Sequence, residues 1–336
     1  MNVLLPIFRP YCSILWACLL VACTTSRAPA PDAAPIDAAA PAAAVVGADA
    51  RSPRFPARPY HVDSLGGRDA SRPAAVLVVL HGFGGDGAGV EQYFRLRPLV
   101  ARHDLIVVRA DGTPNPDGLR FWNAGDTCCD LYEQGPDDVA YLDAVLDDVA
   151  AHFPVDPKRV YVLGHSNGGF MAYRYACERA GRVAAIVSLA GEASADPGRC
   201  KPSEAVSVLQ IQGDADEIVP YAGGNFSSPE NLANLKARHF PLPAAGIHTG
   251  AFLGAHASVA AWAERDGCAK DEASAGPDLD LEATLPGAET TRTGHRACKP
   301  GIGAELWTIR GGSHSPRMKE AWGETIYAFV RDHAKP

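Results

Sequence analysis

The chain lacks an excess of positive charge. Its 31 lysines and arginines are outnumbered by 39 aspartates and glutamates, which gives a formal net charge of -8 at pH 7. A protein that binds nucleic acid needs a basic face, so this composition argues against that class of partner. The glycine-rich segment 81–87 also lacks the Lys-Ser/Thr pair of a phosphate-binding loop. We therefore predict neither a nucleic-acid partner nor a nucleotide cofactor.

Two further absences concern metals and membranes. The nine cysteines include no Cys-x-x-Cys pair and the 11 histidines form no cluster, so we predict no metal site. We find no internal repeat, and no second apolar run is a candidate for a membrane span. The single apolar stretch at the amino terminus has a different interpretation.

The amino terminus predicts export. Arg9 is the only charged side chain before Cys23, and the apolar stretch 14–22 is shorter than the roughly 20 residues that a spanning helix needs. We therefore assign residues 1–22 to a signal peptide. Its end, Leu-Val-Ala-Cys, resembles the bacterial lipobox, so we expect lipidation of Cys23 and anchoring to the bacterial outer membrane. A plainly secreted or periplasmic protein is the alternative.

The rest of the chain divides into a tether and one domain. Residues 23–57 are rich in alanine and proline with few large apolar side chains, which predicts a disordered tether. Residues 58–336 are long enough for one domain with a large core. In this part, apolar runs alternate with helical patterns. We predict an α/β fold, with a mostly parallel sheet and helices on both faces.

A tight turn around Ser166 carries the strongest functional signal. The strand-like run 159–163 leads into 164–169 (GHSNGG) and then into a helical pattern. Gly164 and Gly168 lie two residues before and after the serine, where a Cβ would collide with neighbouring backbone. This is the pattern of a nucleophile elbow, which exposes a catalytic serine at the end of a strand. A glycine-rich turn capped by a serine is the alternative.

Upstream of the elbow, the buried-strand pattern 74–80 ends in the glycine-rich loop 81–87. A nucleophilic serine needs N–H groups that stabilise an oxyanion, and a glycine-rich loop lets one approach a substrate carbonyl. We assign one donor to the amide of Phe83 and the other to that of Asn167, which follows the nucleophile. An ordinary strand-to-helix turn is the alternative for the loop.

Downstream of the elbow, two strand-like runs each precede a candidate catalytic residue. Asp216 lies deep in the loop after 205–211, beside an apolar wall that would direct its carboxylate toward a histidine. We choose it over Asp214, which fits a turn that bonds its own backbone. His314 follows a second strand-like run and a Gly-Gly break, and an amphipathic helix comes after it. We therefore predict a triad of Ser166, Asp216 and His314.

These motifs carry a family resemblance that spans about residues 58–333. The chain resembles the secreted esterase family of polyhydroxybutyrate depolymerases and feruloyl esterases in its stretches LHGFGGDG, FWNAGDTCCD, RVYVLGHSNGGFMAYRYACE, QGDADEIVPY, WAERDGC and GGSH. The resemblance implies an α/β-hydrolase fold, the triad named above, and no metal or organic cofactor. Its most specific motif is the tryptophan followed by paired cysteines, Trp122 with Cys128 and Cys129, and we take Trp122 as a candidate substrate-binding residue.

Six of the nine cysteines lie in the predicted domain, where export makes disulfides stable. From chain order and the resemblance we expect two bridges, Cys177–Cys200 and Cys268–Cys298. The adjacent Cys128 and Cys129 form either a strained vicinal bridge or two thiols, and both alternatives stay open.

Two stretches between Asp216 and His314 have the character of insertions, 222–250 and 269–297. We interpret them as lid or rim elements that help to select the substrate. A flexible acidic loop is the alternative for the second stretch.

Three functions follow from these residues. The first is a serine carboxylic ester hydrolase that cleaves feruloyl or acetyl esters of plant polysaccharide through an acyl-enzyme. The second is a depolymerase of poly(3-hydroxybutyrate) or its oligomers. The third is a catalytically inactive binding lipoprotein. The intact triad favours the two enzymes, whose partners are an ester substrate and, through Cys23, a membrane.

Overall fold

The computed structural model describes residues 44–336. The predicted signal peptide 1–22 and the lipidation site Cys23 lie outside the described residues, as does most of the predicted tether. Within 44–336, no helix combines the length and the hydropathy that crossing a membrane requires.

The described residues form the following elements. The strands are β1 (Val45–Arg51), β2 (Pro59–Leu65), β3 (Ala74–Leu80), β4 (Ile106–Ala110), β5 (Thr113–Pro114), β6 (Arg120–Phe121), β7 (Val155–His165), β8 (Ala185–Leu189), β9 (Ser207–Gly213), β10 (Gly223–Gly224), β11 (Phe252–Leu253), β12 (Glu272–Ser274), β13 (Thr290–His295) and β14 (Ala304–Ile309). The helices are α1 (Gly87–Phe94), α2 (Arg97–His103), α3 (Asp138–His152), α4 (Asn167–Glu178), α5 (Pro229–Ala237), α6 (Ala255–Arg265) and α7 (Trp322–Asp332).

Ten of these strands form one sheet, in the order β1-β2-β4-β3-β7-β8-β9-β14-β13-β12. The six central strands, from β4 to β14, are parallel to one another. Antiparallel strands flank them at both edges. The predicted α/β fold with a mostly parallel sheet is confirmed, and the carboxyl ends of the central strands share one edge.

Helices cover both faces of this sheet, as expected for a strand such as β3 that is buried throughout. Alternate residues of β3 pack into two separate cores. Val76 and Val78 belong to a core that includes residues of α3, α4 and α6. Leu77 and Val79 belong to a second core that includes residues of α1, α2 and α7. The two cores hold the central strands, and therefore the loops at their carboxyl ends, in fixed positions.

The ordered domain begins earlier than we predicted. Residues 45–51, which we placed in the disordered tether 23–57, form the edge strand β1 and pair along their whole length with β2. Most side chains of β1 are exposed. An edge strand of this kind is held by main-chain hydrogen bonds, so its amino-acid composition carries little hydrophobic signal.

The two insertions have defined structure. The stretch 222–250 contains β10 and α5. The stretch 269–297 contains β12 and β13, which extend the main sheet beyond β14. Its Leu281 and Glu282 are 2% and 3% exposed. The second stretch is therefore part of the sheet edge and not a flexible acidic loop.

Three disulfides join the six cysteines of the domain. Cys177 at the end of α4 pairs with Cys200, and Cys268 pairs with Cys298. Cys128 and Cys129 form a vicinal bridge, one of the two alternatives left open by the sequence.

Candidate active site

Ser166 lies on a sharp turn between β7 and α4. Its backbone has φ 54° and ψ -120°, a region that side-chain-bearing residues rarely occupy. Strain of this kind costs on the order of 1–3 kcal/mol and persists where the surroundings determine it. The turn is held by a hydrogen bond from the Ser166 N–H to Leu189 O at 2.7 Å. The geometry places the serine hydroxyl at the carboxyl edge of the sheet.

Glycines make this turn sterically feasible. A Cβ on Gly164 would overlap the carbonyl of Gly168, and a Cβ on Gly168 would overlap the carbonyl of Leu80. The structure also shows a glycine that we did not single out. A Cβ on Gly191, in the loop after β8, would lie 2.5 Å from Ser166 O. The turn therefore needs a glycine in the neighbouring loop as well as its own two glycines.

The structure brings Ser166, Asp216 and His314 together. Ser166 Oγ lies 2.9 Å from His314 Nε2. His314 Nδ1 lies 3.0 Å from each carboxylate oxygen of Asp216. The Asp216 side chain is fully buried, and that of His314 is 11% exposed. The three groups form a continuous hydrogen-bonded line from a buried carboxylate to a hydroxyl.

Backbone N–H groups fix the carboxylate of Asp216. Both Ile218 N and Val219 N donate to its Oδ1 at 2.9 Å. A buried carboxylate needs such donors, because desolvation otherwise disfavours its charged form. The loop after β9 therefore presents Asp216 to the histidine as an oriented acceptor.

Asp214 has a different role from the turn that we predicted. Its Oδ1 accepts a hydrogen bond from Gly311 N at 2.6 Å, in the loop that leads to His314. In the same region, Ala215 N donates to Gly312 O, and His314 N donates to Glu217 Oε2. Asp214 thus ties the loop that carries the acid to the loop that carries the base.

The two amides expected to stabilise an oxyanion lie on either side of the nucleophile. Asn167 is the first residue of α4, so its N–H is at the positive end of the helix dipole. Phe83 follows Gly82, at which an added Cβ would lie 3.4 Å from Ser166 Cβ. Within residues 44–336, neither N–H donates to another protein atom. Both are therefore available to a ligand oxygen.

Trp122, our candidate substrate-binding residue, is buried. Its side chain is 0% exposed, and its Nε1–H donates to His81 O at 3.0 Å. The side-chain amide of Asn167 bonds both the N–H and the carbonyl of Trp122. Burial of this large apolar indole is favourable because its N–H keeps a hydrogen-bond partner. There it supports the loop that carries Phe83.

A line of buried polar side chains supports the Asp216 loop from below. Tyr173 Oη donates to Gln210 Oε1, and Gln210 Nε2 donates to Gln212 Oε1. Gln212 Nε2 donates to Val219 O at 2.9 Å. Sequence reasoning missed these residues, although two glutamines in the apolar pattern of β9 were the available signal.

Two ionisable residues beside the triad, the partly buried His165 and the buried Glu192, were also missed. His165 Nε2 donates to His314 O at 3.1 Å, and burial together with the charge of His314 lowers the pKa of His165 to about 3. Glu192 is 1% exposed, and burial together with the charge of Asp216 raises its pKa well above the usual range. The imidazole of His165 is therefore neutral at pH 7, and burial favours the neutral form of Glu192 as well.

Two hollows meet at Ser166, which we call the cleft and the cavity. The cleft has a volume of about 390 Å³, opens to solvent and is lined in part by Val90, Tyr93, His165 and His314. The cavity has a volume of about 20 Å³, is more enclosed and is lined mainly by apolar side chains. A larger depression of about 710 Å³ lies along β1 and β2, and no triad residue lines it.

The chain is similar to known proteins. A family model described as "Alpha/beta hydrolase family" matches residues 77–326. Feruloyl esterase B of Piromyces equi is 26% identical over 273 residues, which cover 80% of this chain and 44% of that protein. The putative esterase NocK of Nocardia uniformis subsp. tsuyamanensis is 32% identical over 169 residues, which cover 49% of this chain and 47% of that protein.

A solved structure shares the fold over most of its length. Acetyl xylan esterase from Aspergillus awamori superposes with a TM-score of 0.51 and 12% identity, covering 82% of this chain and 94% of that one. The chain spans about half the length of the curated relatives named above. The family model covers well over half of the chain, and a serine on a glycine-flanked turn lies within its limits. The chain belongs to the alpha/beta hydrolase family and is similar to its feruloyl esterases.

Proposed function

We propose that the protein is a serine carboxylic ester hydrolase that works through an acyl-enzyme on Ser166. The 2.9 Å contact between Ser166 Oγ and His314 Nε2 carries this proposal. His314 accepts the hydroxyl proton as Oγ attacks the ester carbonyl. Asp216 orients the imidazole through Nδ1 and stabilises the imidazolium that forms.

The remaining steps use the same groups. The N–H groups of Phe83 and Asn167 donate to the oxyanion of the tetrahedral intermediate. His314 gives its proton to the departing alcohol, which leaves the acyl group bonded to Ser166. A water molecule then loses a proton to His314 and attacks the acyl carbonyl. The carboxylic acid is released, and Ser166 regains its proton.

We propose feruloyl or acetyl esters of plant polysaccharide as the substrates. Several curated relatives carry the name feruloyl esterase, including Feruloyl esterase C of Emericella nidulans at 30% identity over half of this chain. The open cleft beside His314, about 390 Å³ in volume, leaves room for a bulky alcohol such as a sugar.

We also propose that the protein is exported and anchored through lipidated Cys23. The three disulfides of the domain support export, because such bonds persist in oxidising compartments. Mass analysis of the mature amino terminus tests the anchor. The anchor is refuted if the mature chain begins at a residue other than Cys23 or carries no acyl chains.

Ser166→Ala tests the activity. If the triad acts as a unit, kcat for 4-nitrophenyl acetate should fall by about 10⁶-fold. A serine-directed phosphonate should block the unchanged protein, losing its leaving group and leaving its phosphonyl group on the peptide that contains Ser166. Near-normal turnover by the variant would refute the mechanism, whereas an absence of turnover in both proteins would favour the inactive binding lipoprotein.

A substrate panel tests the ester class with the unchanged protein. Methyl ferulate, acetylated xylan and 3-hydroxybutyrate oligomers should be compared by kcat/KM. We expect one of the first two to be preferred. A clear preference for the oligomers would assign the protein to the polyester depolymerases instead.

A further inference from the structure

The cleft and the cavity differ in which catalytic group they reach. Ser166 lines both, but His314 lines only the cleft. In the proposed reaction, His314 must protonate the departing alcohol and must later activate a water molecule. Both the alcohol and the water therefore occupy the cleft. The acyl group, which stays on Ser166 between the two halves of the reaction, is left with the cavity.

The cavity is small and apolar. Its volume of about 20 Å³ is close to that of one water-sized group. Its walls include Phe170, Phe226, Leu235, Leu242 and Ile247, of which the last four belong to the stretch 222–250. A methyl group fits such a space without displacing these side chains. A longer or aromatic acyl group would have to move them, and close-packed side chains resist such movement.

Phe240 separates the two hollows. Together with Phe83 and Ile218 it lines both the cleft and the cavity. The rings of Phe240 and Phe83 are in contact, with centroids 5.4 Å apart. Phe240 N donates to Leu235 O at 2.9 Å, which fixes the segment after α5. Phe240 is only partly buried, so its truncation opens the cavity without removing a residue of the central core.

We propose that the cavity is an acyl site for short, unbranched acyl groups, with acetyl preferred, and that Phe240 sets the upper limit of acyl size. The alcohol of the ester lies in the open cleft. This inference rests on the proposed esterase activity and narrows its substrate class from feruloyl or acetyl esters to acetyl esters.

The test compares 4-nitrophenyl esters, which share one leaving group and differ only in the acyl group. For the unchanged full-length protein, kcat/KM for the acetate should exceed that for the hexanoate and that for the ferulate by at least tenfold. Phe240→Ala should reduce these ratios by at least tenfold. Phe240→Leu is a milder change and should give an intermediate ratio, and thermal unfolding should show that each variant is folded.

Tyr93→Ala is the matched control, because Tyr93 is partly buried, as Phe240 is, and lines the cleft and not the cavity. It should leave the ratios between acyl groups within about twofold and change the preference between acetate esters of small and large alcohols. The inference is overturned if the unchanged protein prefers the ferulate, or if both Phe240 variants leave the ratios between acyl groups unchanged. Failure of the unchanged protein to hydrolyse any ester would refute the proposed esterase itself.

Discussion

Asp214 and Asp216 show how two carboxylates on one loop acquire separate roles. Both carboxylate oxygens of Asp216 lie 3.0 Å from His314 Nδ1. The carboxylate of Asp214 accepts from Gly311 N and does not contact the histidine ring. Since these residues are two positions apart in one loop, a matched pair of substitutions can distinguish the catalytic role of Asp216 from the structural role of Asp214.

Asp216→Asn should lower kcat for ester hydrolysis by about 10⁴-fold, because an amide cannot stabilise the imidazolium and favours the wrong tautomer of His314. Asp214→Asn keeps an oxygen that can accept from Gly311 N, so its kcat should change by less than about tenfold. Steady-state kinetics with 4-nitrophenyl acetate measures both. Equal losses in the two variants would contradict the assignment of the acid to Asp216.

His81 makes folding sensitive to pH. Its side chain is buried, Nε2 accepts a hydrogen bond from Gly112 N, and Nδ1 donates to Gly82 O. Burial lowers the pKa of His81 to about 4, whereas the unfolded chain has a value of about 6.5. The unfolded state therefore binds this proton more readily. The stability that the neutral ring contributes is complete above pH 6.5 and is lost as the pH falls toward 4.

At pH 5, this difference corresponds to a loss of about 2 kcal/mol in the free energy of unfolding. His81→Gln removes the titrating group, so its stability should fall by about 2 kcal/mol less between pH 7 and pH 5 than that of the unchanged protein. Urea unfolding at the two pH values gives this difference directly. Identical pH dependence in both proteins would show that His81 does not titrate differently on unfolding.

At the scale of elements, the junction between β7 and α4 depends on close approach of backbone. Gly164→Ala should destabilise the fold by at least about 3 kcal/mol or prevent folding, since the new Cβ would overlap the backbone of Gly168. Gly323→Ala in α7 is the control. Its Cβ would meet Leu99 at an ordinary 3.7 Å, so the helix should gain up to about 1 kcal/mol.

Urea unfolding of both glycine variants measures the difference. A small effect of Gly164→Ala would mean that the turn relaxes, and the strained backbone of Ser166 would then not depend on this contact.

The elements that could be predicted from sequence are those with a strong periodic or steric signature. The buried runs 74–80 and 205–211 and the glycines around Ser166 predicted two strands and the elbow. The edge strand β1 was missed, because exposed side chains and main-chain pairing leave no pattern. The regular structure of the stretch 269–297 was not predicted either, since β12 and β13 form by pairing with each other and with β14.

At the scale of the whole molecule, chain order along a parallel sheet predicted which residues lie close in space. Ser166, Asp216 and His314 each follow a strand-like run, and parallel strands end at the same edge. What the order could not predict is packing between loops. Trp122 was predicted to bind substrate, but its side chain is buried. Glu192 lies close enough to Asp216 for the charge of Asp216 to raise its pKa, and no sequence pattern indicates that these two residues are neighbours.

The first strand should contribute to the stability of the whole domain. A chain that begins at residue 44 retains β1, and a chain that begins at residue 58 lacks it and leaves β2 as an unpaired edge. Phe55, which packs edge-on against Tyr141, is lost as well. The shorter chain should unfold at a temperature lower by several degrees, as calorimetry of the two proteins can show. Equal unfolding temperatures would support the predicted boundary, in which the tether ends at residue 57 and the domain begins at residue 58.

The hydrogen bond between Gly311 and Asp214 has a consequence for substitutions in the stretch 222–250. It joins the loop that carries Asp216 to the loop that carries His314, through one residue before the stretch 222–250 and one residue after it. Because neither residue belongs to that stretch, substitutions at Phe240 or Leu242 should leave the acid loop joined to the base loop.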